Sequence, residues 1–119
     1  MVEVNNSHLE VFCQSLLQPN SELQFADSIG LIDRLYNFTG TAFTNGDQHN
    51  LANQNNGSCK CFAFGQLQQL SELHTLRLFG EHFRHVMAHP EGTDHPNIRQ
   101  FMLCGWAGIK FAGQALAAK

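Results

Sequence analysis

The residues best suited to chemistry lie close together in the last third of the chain. Two histidines and two carboxylates fall within seven residues there, at His89, Glu91, Asp94 and His95. Imidazole nitrogen and carboxylate oxygen suit zinc, manganese, iron or nickel as ligands. A histidine in such a cluster can also act as the base that activates a nucleophile. Metal binding and nucleophilic catalysis are therefore the two chemistries to weigh.

A second segment offers ligands of the same kinds. Asp47 and His49 lie in a polar stretch, and two loops that each supply such groups can together hold one metal ion. The candidate ligands of a divalent metal, the one cofactor that the sequence suggests, are Asp47, His49, His89, Glu91, Asp94 and His95. No two histidines among them have the spacing of a helical His-x-x-x-His site. That spacing occurs at His85 and His89, which share a predicted helix face with His82.

A cysteine-dependent reaction is the second chemical alternative. Cys59 follows Ser58, a predicted helix N-cap, and the helix dipole would favour its thiolate. His49 or His89 could then act as the base, and Asp94 or Asn50 could orient it. However, the cysteines stand in or near apolar runs, with Cys13, Cys61 and Cys104 directly beside Phe or Leu, and a thiol in such a run behaves as a small hydrophobe. We therefore expect structural free thiols at Cys13, Cys59, Cys61 and Cys104.

The histidine and carboxylate cluster also has a purely structural interpretation. Pro90 and Pro96 fix φ, lack an N–H and disfavour helix at the residue before each of them. We therefore expect the two histidines on a stiff loop rather than on a helix. Glu91, Thr93 and Asp94 would cap helix ends, while the histidines donate hydrogen bonds that fix the loop. In this interpretation, changing the cluster lowers stability and affects no activity.

Helical periodicity accounts for most of the chain. Apolar residues recur at the three- and four-residue spacing of amphipathic helices over residues 8–17, 25–36, 59–70, 72–89 and 96–104. Ser7, which forms a capping box with Glu10, is the predicted N-cap of the first helix. Ser58 and Ser71 are the predicted N-caps of the third and fourth helices, and Asn97 or Asp94 caps the last.

Two short segments favour extended structure. Residues 38–44 are rich in Phe and Thr, and 109–111 is short enough to be an edge strand that pairs with them. An Asn-Gly-Asp turn signal opens the polar run 45–57, which is predicted to be a loop, and the C-terminal tail is predicted to be frayed or a last helical turn. We predict a mainly α, compact single domain over residues 1–119 with about five helices, leaving open a small two-stranded β element.

Composition excludes several classes of protein. The 119 residues are 43% hydrophobic and 14% charged, which suffices for a core without disulfides or metal. The net charge is −3 and the basic residues are scattered singly, so we expect no nucleic-acid binding. No apolar run is long enough to span a bilayer, and the N-terminus lacks the apolar core of a signal peptide.

Three blocks of the sequence carry a resemblance to a known family. They are FTNGDQHN at 43–50, GSCKCFAF at 57–64, and AHPEGTDHPNIRQFM with GWAGIKF at 88–111. With them the chain resembles the HopJ family, small bacterial proteins named after a type III secretion effector, over about residues 25–111. One departure is Gly40, where the family pattern reads like Thr-Pro-Thr before AFTNG. The resemblance implies a bacterial cytoplasmic protein, with type III secretion as a further implication, and establishes no biochemical activity.

We therefore predict an effector-like protein that binds a macromolecular partner, most simply a protein. The binding surface is predicted to be built by segments 43–50 and 88–97, through Asn45, Asp47, His49, Asn50, His89, Glu91, Thr93, Asp94 and His95. The alternative is a small metal-dependent or Cys-dependent hydrolase-like enzyme that uses the His, Asp and Glu cluster. Substrate, partner and oligomeric state are left open by the sequence.

Overall fold

The computed structural model describes Phe12, Cys13 and residues 23–119. Phe12 and Cys13 are helical, and Phe12 packs its ring against Phe64 with centroids 6.3 Å apart. The rest of the helix predicted over 8–17, with its Ser7 capping box, lies outside the described residues.

Five further α-helices occur in the described part of the chain. They are α1 (Phe25–Leu35), α2 (Asn56–Leu67), α3 (Glu72–Arg77), α4 (Glu81–Ala88) and α5 (Pro96–Cys104), and a 3-10 turn (Gly105–Gly108) follows α5. Five short strands accompany them: β1 (Tyr36–Phe38), β2 (Phe43–Asn45), β3 (Gln48–Asn50), β4 (Ile109–Phe111) and β5 (Leu116–Ala118). The prediction of a compact, mainly helical domain is confirmed, but the β content is larger than predicted.

The strands form two small antiparallel sheets. One has the order β3-β2-β4, with Phe43 opposite both Asn50 and Phe111. The predicted pairing of 109–111 with the first extended segment is therefore confirmed. The other sheet pairs β1 with β5, so the tail is a strand rather than a frayed end or a helical turn. Because the tail reads Ala-Leu-Ala-Ala, its sequence gives little β signal.

The prediction of one loop over residues 45–57 is wrong in part. Gly46 has a φ of +56°, the left-handed conformation that a tight hairpin turn requires, and it lets β3 fold back onto β2. Residues 48–50 are therefore a strand, and α2 already begins at Asn56. The sequence did not predict these strands because asparagines occupy inward positions where a strand pattern would show apolar residues. Asn45 and Asn50 face the interior.

The single long helix predicted over 72–89 is interrupted. Ser71 caps its start as predicted, since its hydroxyl accepts the His74 N–H at 3.0 Å. Gly80, with a φ of +55°, then separates α3 from α4. The backbone of residues 23–25 passes so close to Gly80 that any Cβ there would collide with it. This contact brings the start of α1 against the start of α4.

The core is built on the aromatic side chains of α2. Phe62 and Phe64 are fully buried, and the Phe62 ring lies 4.9 Å from that of Phe101 on α5 and 5.3 Å from that of Phe79. Phe43 of β2 contacts the Phe62 ring at 6.0 Å. One cluster of phenylalanines therefore fixes α2, α5, the α3–α4 connection and the larger sheet relative to one another. Among the described residues, no helix combines the length and apolarity needed to cross a bilayer.

Candidate functional site

Four histidines form a continuous row at the corner between α4 and α5. His82, His85 and His89 lie on one face of α4 and its C-cap, and His95 is the N-cap residue of α5. The ring centroids are 4.9 Å apart for His82 and His95, 5.7 Å for His95 and His85, and 4.3 Å for His85 and His89. We call these four residues the histidine row.

The loop that carries the row from α4 to α5 is held by one arginine. Arg99 donates to the main-chain oxygen of His89 at 2.8 Å and to that of Asp94 at 2.6 Å. Its remaining nitrogen donates to the Asp94 carboxylate at 2.6 Å. A planar guanidinium with three acceptors in one loop fixes both ends of residues 89–94 at once. The loop is exposed to solvent, and its conformation is fixed by the Arg99 hydrogen bonds. This agrees with the stiff loop that the sequence predicts.

Asp94 joins this brace to the histidine row. Its second carboxylate oxygen lies 2.9 Å from Nε2 of His85, so the carboxylate bridges an arginine and an imidazole. The hydrogen bond from Arg99 holds the pKa of the Asp94 carboxyl below its ordinary value, and proximity to His85 adds to the effect. Asp94 therefore pairs with neighbouring side chains, and it caps no helix.

A cavity of 220 Å³ opens beside the row, between α1, α2, α4 and α5. Its lining combines two phenylalanines, two members of the histidine row and several polar groups: Phe25, Asn55, Ser58, Phe79, His82, His95, Pro96, Asn97 and Ile98. The rings of Phe25 and Phe79 are stacked at 6.0 Å, and the edge of His82 meets Phe25 at 5.0 Å. No acidic residue lines this cavity, although the chain as a whole carries a net charge of −3.

Two helices begin at this cavity without a side-chain cap. The N-cap residues are Asn55 for α2 and His95 for α5, and neither makes a side-chain capping hydrogen bond. Both have left-handed backbone conformations, with φ of +57° and +50°. The predictions of Ser58 and of Asn97 or Asp94 as caps are therefore wrong. The first N–H groups of a helix lack intrahelical acceptors and carry partial positive charge, so the cavity is bordered by two sets of such donors.

His95 is, with His82, one of the two partly buried members of the row. Partial burial lowers the pKa of its imidazole below the ordinary value, and the neighbouring His82 adds to the lowering. Within the described residues neither His82 nor His95 makes an ion pair, whereas His85 has Asp94. The two imidazoles at the cavity therefore lack the counter-ion that His85 has.

The hairpin meets α5 through buried asparagines rather than through the predicted ligands. Asn45 donates to the main-chain oxygen of Asn97 at 2.8 Å, and Asn50 and Asn97 exchange two amide hydrogen bonds at 3.0 and 3.2 Å. Asn55 donates to Asn50 at 2.7 Å. These four asparagines connect β2 and β3 to the N-termini of both α2 and α5. Asn45 and Asn50 are thus buried residues that position the N-terminus of α5, and they are not part of the surface.

The chain matches the family described as HopJ type III effector protein over residues 9–116. It belongs to this family. The structure is also similar to a crystal structure of protein VPA0580, described as a protein of unknown function, with a TM-score of 0.89 and 47% sequence identity. That similarity covers 93% of each chain. Among curated proteins, none matches the chain.

In this HopJ family member, the two halves of the predicted surface face different directions. His49 sits opposite Thr44 on the outer side of the three-stranded sheet, where it lines a shallow apolar groove with Lys110 and Phe111. Asp47 is exposed in the hairpin turn, and the adjacent Gly46 lies against Cys104 at the C-terminal end of α5. The histidine row lies at the opposite, N-terminal end of that helix. The 43–50 and 88–97 segments therefore do not form one continuous polar surface.

The predicted metal site is not assembled in the described part of the chain. No three His, Cys, Asp or Glu side chains are arranged there to hold an ion. Glu91 and Thr93 are exposed in the loop, and Asp94 is engaged by Arg99 and His85. The geometry consequently gives the metal-dependent alternative no support.

The Cys-dependent alternative also lacks support. Cys59 is fully buried, and its thiol donates to the Thr41 main-chain oxygen at 3.5 Å. Burial raises the pKa of this thiol, so the prediction of a thiolate favoured by the helix dipole is wrong. Cys59, Cys61, Cys13 and Cys104 are all free, as predicted.

Of the nine residues that line the cavity, only His95 is among the site residues predicted from the sequence. Phe25 and Phe79 gave only a core signal, because apolar spacing does not distinguish a core ring from a cavity wall. His82 did carry a signal, since it precedes His85 and His89 by three and seven residues on one helix face. Nothing in the sequence showed that His95 would close the row from another helix.

Proposed function

We propose that this protein is a recognition domain that binds a protein partner at the α4–α5 corner and receives an oxyanion of that partner in the cavity. The oxyanion is a carboxylate or a phosphoryl group. The observation that carries the proposal is the lining of the cavity. Two imidazoles without a counter-ion meet the uncapped starts of two helices there, and no acidic side chain is present.

The donors at this cavity suit oxyanion chemistry. Ser58 supplies a hydroxyl, His82 and His95 supply ring nitrogens, and the first turns of α2 and α5 supply main-chain N–H groups. Such donors favour an anion because each helix terminus carries partial positive charge and its N–H groups are unsatisfied. The stacked phenylalanines on the remaining side exclude water, which strengthens electrostatic contacts inside the cavity.

The size of the cavity favours one group of a larger molecule over a complete small ligand. Its 220 Å³ is below the range of roughly 300–1,000 Å³ that is usual for small-molecule pockets. The exposed loop 89–94 lies next to the opening and is held in place by Arg99. A preformed loop reduces the conformational entropy lost when a partner docks. Membership in a family described as type III effectors also supports a role exerted on another protein.

The test uses peptides of defined charge, with binding measured by calorimetry and by changes in amide chemical shifts. One peptide ends in a free carboxylate and one contains phosphoserine. Two matched peptides are amidated at the C-terminus and unphosphorylated. We expect one of the charged peptides to bind and to shift the amide signals of residues 56–58 and 97–98, because these residues begin α2 and α5. The two charged peptides also distinguish a carboxylate from a phosphoryl ligand.

Two variants locate the binding. Ser58→Ala removes one donor, and His95→Asn removes the imidazole while keeping a residue that tolerates the left-handed conformation. Each should weaken binding by about tenfold to 150-fold, the range expected for one hydrogen bond to a charged group. His49→Asn, on the far side of the three-stranded sheet, is the matched control and should bind as the unmodified protein does. Equal binding of charged and neutral peptides, or an effect of His49→Asn equal to that of His95→Asn, would refute the proposal.

A further inference from the structure

The histidine row divides into two halves that differ in charge balance. His85 lies 2.9 Å from the Asp94 carboxylate, which Arg99 holds in position. His82 and His95 face each other at 4.9 Å beside the cavity, and no carboxylate pairs with either of them in the described part of the chain. A proton on His85 therefore has a resident partner. A proton on the cavity pair does not.

We infer that the oxyanion entering the cavity is the missing counter-ion of His82 and His95, so that its binding is coupled to uptake of a proton by this pair. The inference rests on the proposed function, since it assigns a regulation to the same cavity. Its consequence is that the site binds its ligand more tightly as the pH falls through the range in which histidines titrate, near 6.5. The protein would then distinguish a mildly acidic environment from a neutral one.

The groups around the pair determine the direction of this coupling. His82 on α4 and His95 at the start of α5 face each other, with His85 as the third imidazole in contact. Around His95 lie Asp94, which favours its protonation, and Arg99, which opposes it. Glu81 and Arg84 flank His82 on α4, and Glu81 is already held by the main-chain N–H of Phe25 at 2.7 Å. The parts of α1 and α2 that line the cavity contribute no titratable side chain.

Without a ligand, His95 favours the neutral state. Desolvation at the cavity and the proximity of the second imidazole both disfavour a proton on His95. An anion in the cavity beside the two rings reverses both effects, because it supplies the opposite charge and replaces lost hydration. By thermodynamic linkage, if the bound anion raises the affinity of the pair for a proton, the bound proton raises the affinity for the anion by the same factor. Ligand and proton therefore bind cooperatively.

The closing experiment measures the affinity for sulfate, which stays fully ionised across the range used, at about pH 7.5, 6.5 and 5.5 by calorimetry. Each titration is repeated in two buffers of different ionisation enthalpy, which counts the protons taken up on binding. We expect the affinity to rise about tenfold between the highest and the lowest pH, with proton uptake near pH 6.5. NMR titrations should show that sulfate shifts the pKa of His95 upward, and that it perturbs the ring signals of His82 but not those of His49.

A double variant, His82→Gln with His95→Asn, should lose the pH dependence and bind at pH 5.5 no better than the unmodified protein does at pH 7.5. The control His49→Gln changes a histidine on the outer side of the three-stranded sheet, outside the cavity, and should keep the dependence. Melting curves at each pH verify that every variant is folded. Sulfate binding that is the same at all three pH values, with no proton uptake, would overturn the inference and leave the proposed function standing. Absence of binding by sulfate and by both charged peptides at every pH would overturn both.

Discussion

Asn45 and Asn97 are hydrogen-bonded to each other inside the molecule, between the β-hairpin and the first turn of α5. The amide nitrogen of Asn45, which is fully buried, lies 2.8 Å from the main-chain oxygen and 3.1 Å from the side-chain oxygen of Asn97. Asn50 joins them from the neighbouring strand. This contact fixes the wall of the cavity to the sheet, so the geometry of the site depends on buried amides that no ligand touches.

Asn97→Ala should therefore destabilise the protein. It removes a side-chain partner from both Asn45 and Asn50, and a buried polar group left unpaired costs roughly 1–3 kcal/mol. We expect the free energy of unfolding to fall by about 2–3 kcal/mol in urea titrations, with an unchanged denaturant slope. Asn37→Ala, at an exposed position of β1, is the control and should change the free energy of unfolding by less than about 0.5 kcal/mol.

Two glycines should respond in opposite directions to the same substitution. Gly80→Ala places a Cβ 2.5 Å from the Phe25 nitrogen at a φ of +55°, so we expect a loss of about 3 kcal/mol or more. Gly30→Ala lies within α1 with no atom within 4 Å of the new Cβ, and it should gain about 0.5–1 kcal/mol. Thermal melting of both variants measures the contrast. A neutral Gly80→Ala would contradict the close approach of residues 23–25.

Arg99→Lys should loosen the loop without unfolding the domain. A lysine keeps the positive charge but cannot donate simultaneously to Asp94 and to the main chain of His89. We expect faster amide hydrogen exchange over residues 90–95, while exchange in α2 stays unchanged. Arg34→Lys on α1 tests for general effects of such a substitution. Unchanged exchange in the loop would show that Arg99 does not hold it.

Stability should depend on pH in two separate windows. The pKa of His95 is lowered in the folded protein, so the unfolded chain binds more protons below about pH 6.5, and stability falls as the pH decreases through that value. The pKa values of Asp94 and Glu81 are also lowered, so their contribution is present above about pH 4 and is lost below it. Urea unfolding at several pH values should show that His95→Asn removes only the upper window. Persistence of that window in His95→Asn would assign it to another group.

Thiol labelling should separate the cysteines by burial. Cys104 is exposed and should react with a thiol reagent in the native protein. Cys59 and Cys61 are fully buried with raised thiol pKa values, so they should react only after unfolding. Cys104→Ser should abolish the fast native phase attributed to it. Rapid labelling of Cys59 in the native protein would contradict its burial and would support the Cys-dependent alternative.

The predictable part of the fold is the part where local chemistry and tertiary structure agree. Pro96 suits the first position of a helix, and α5 begins there. Ser71 caps α3 for the same local reason. The break at Gly80 could not be predicted, because a glycine lowers the stability of a helix by only about 1 kcal/mol and many helices tolerate one. The helix is interrupted there because the backbone of residues 23–25, which is distant in sequence, passes close to Gly80. The hairpin was hidden because its inward positions hold asparagines.

One residue that lines the cavity, His95, was singled out from the sequence, but the arrangement of the candidate site was not predicted. The loop from His89 to His95 was recognised from its histidines, carboxylates and prolines, and the structure places it at the site. His49 points away from α5 because neighbouring residues in a strand point to opposite faces and Asn50 points inward, and Asp47 lies in the hairpin turn. The cavity forms where α2, α4 and α5 meet α1. Because it depends on the packing of four helices, no single segment of the sequence predicts it.

The central position of β2 has a consequence for how the protein folds. Phe43 pairs with Asn50 across a tight turn and with Phe111 near the far end of the chain, so one strand receives a local and a very distant partner. The hairpin can close as soon as its turn forms, whereas β4 can join only after the intervening helices have shortened the path between them. We therefore expect the larger sheet to be completed late in folding, when residues 109–111 reach β2.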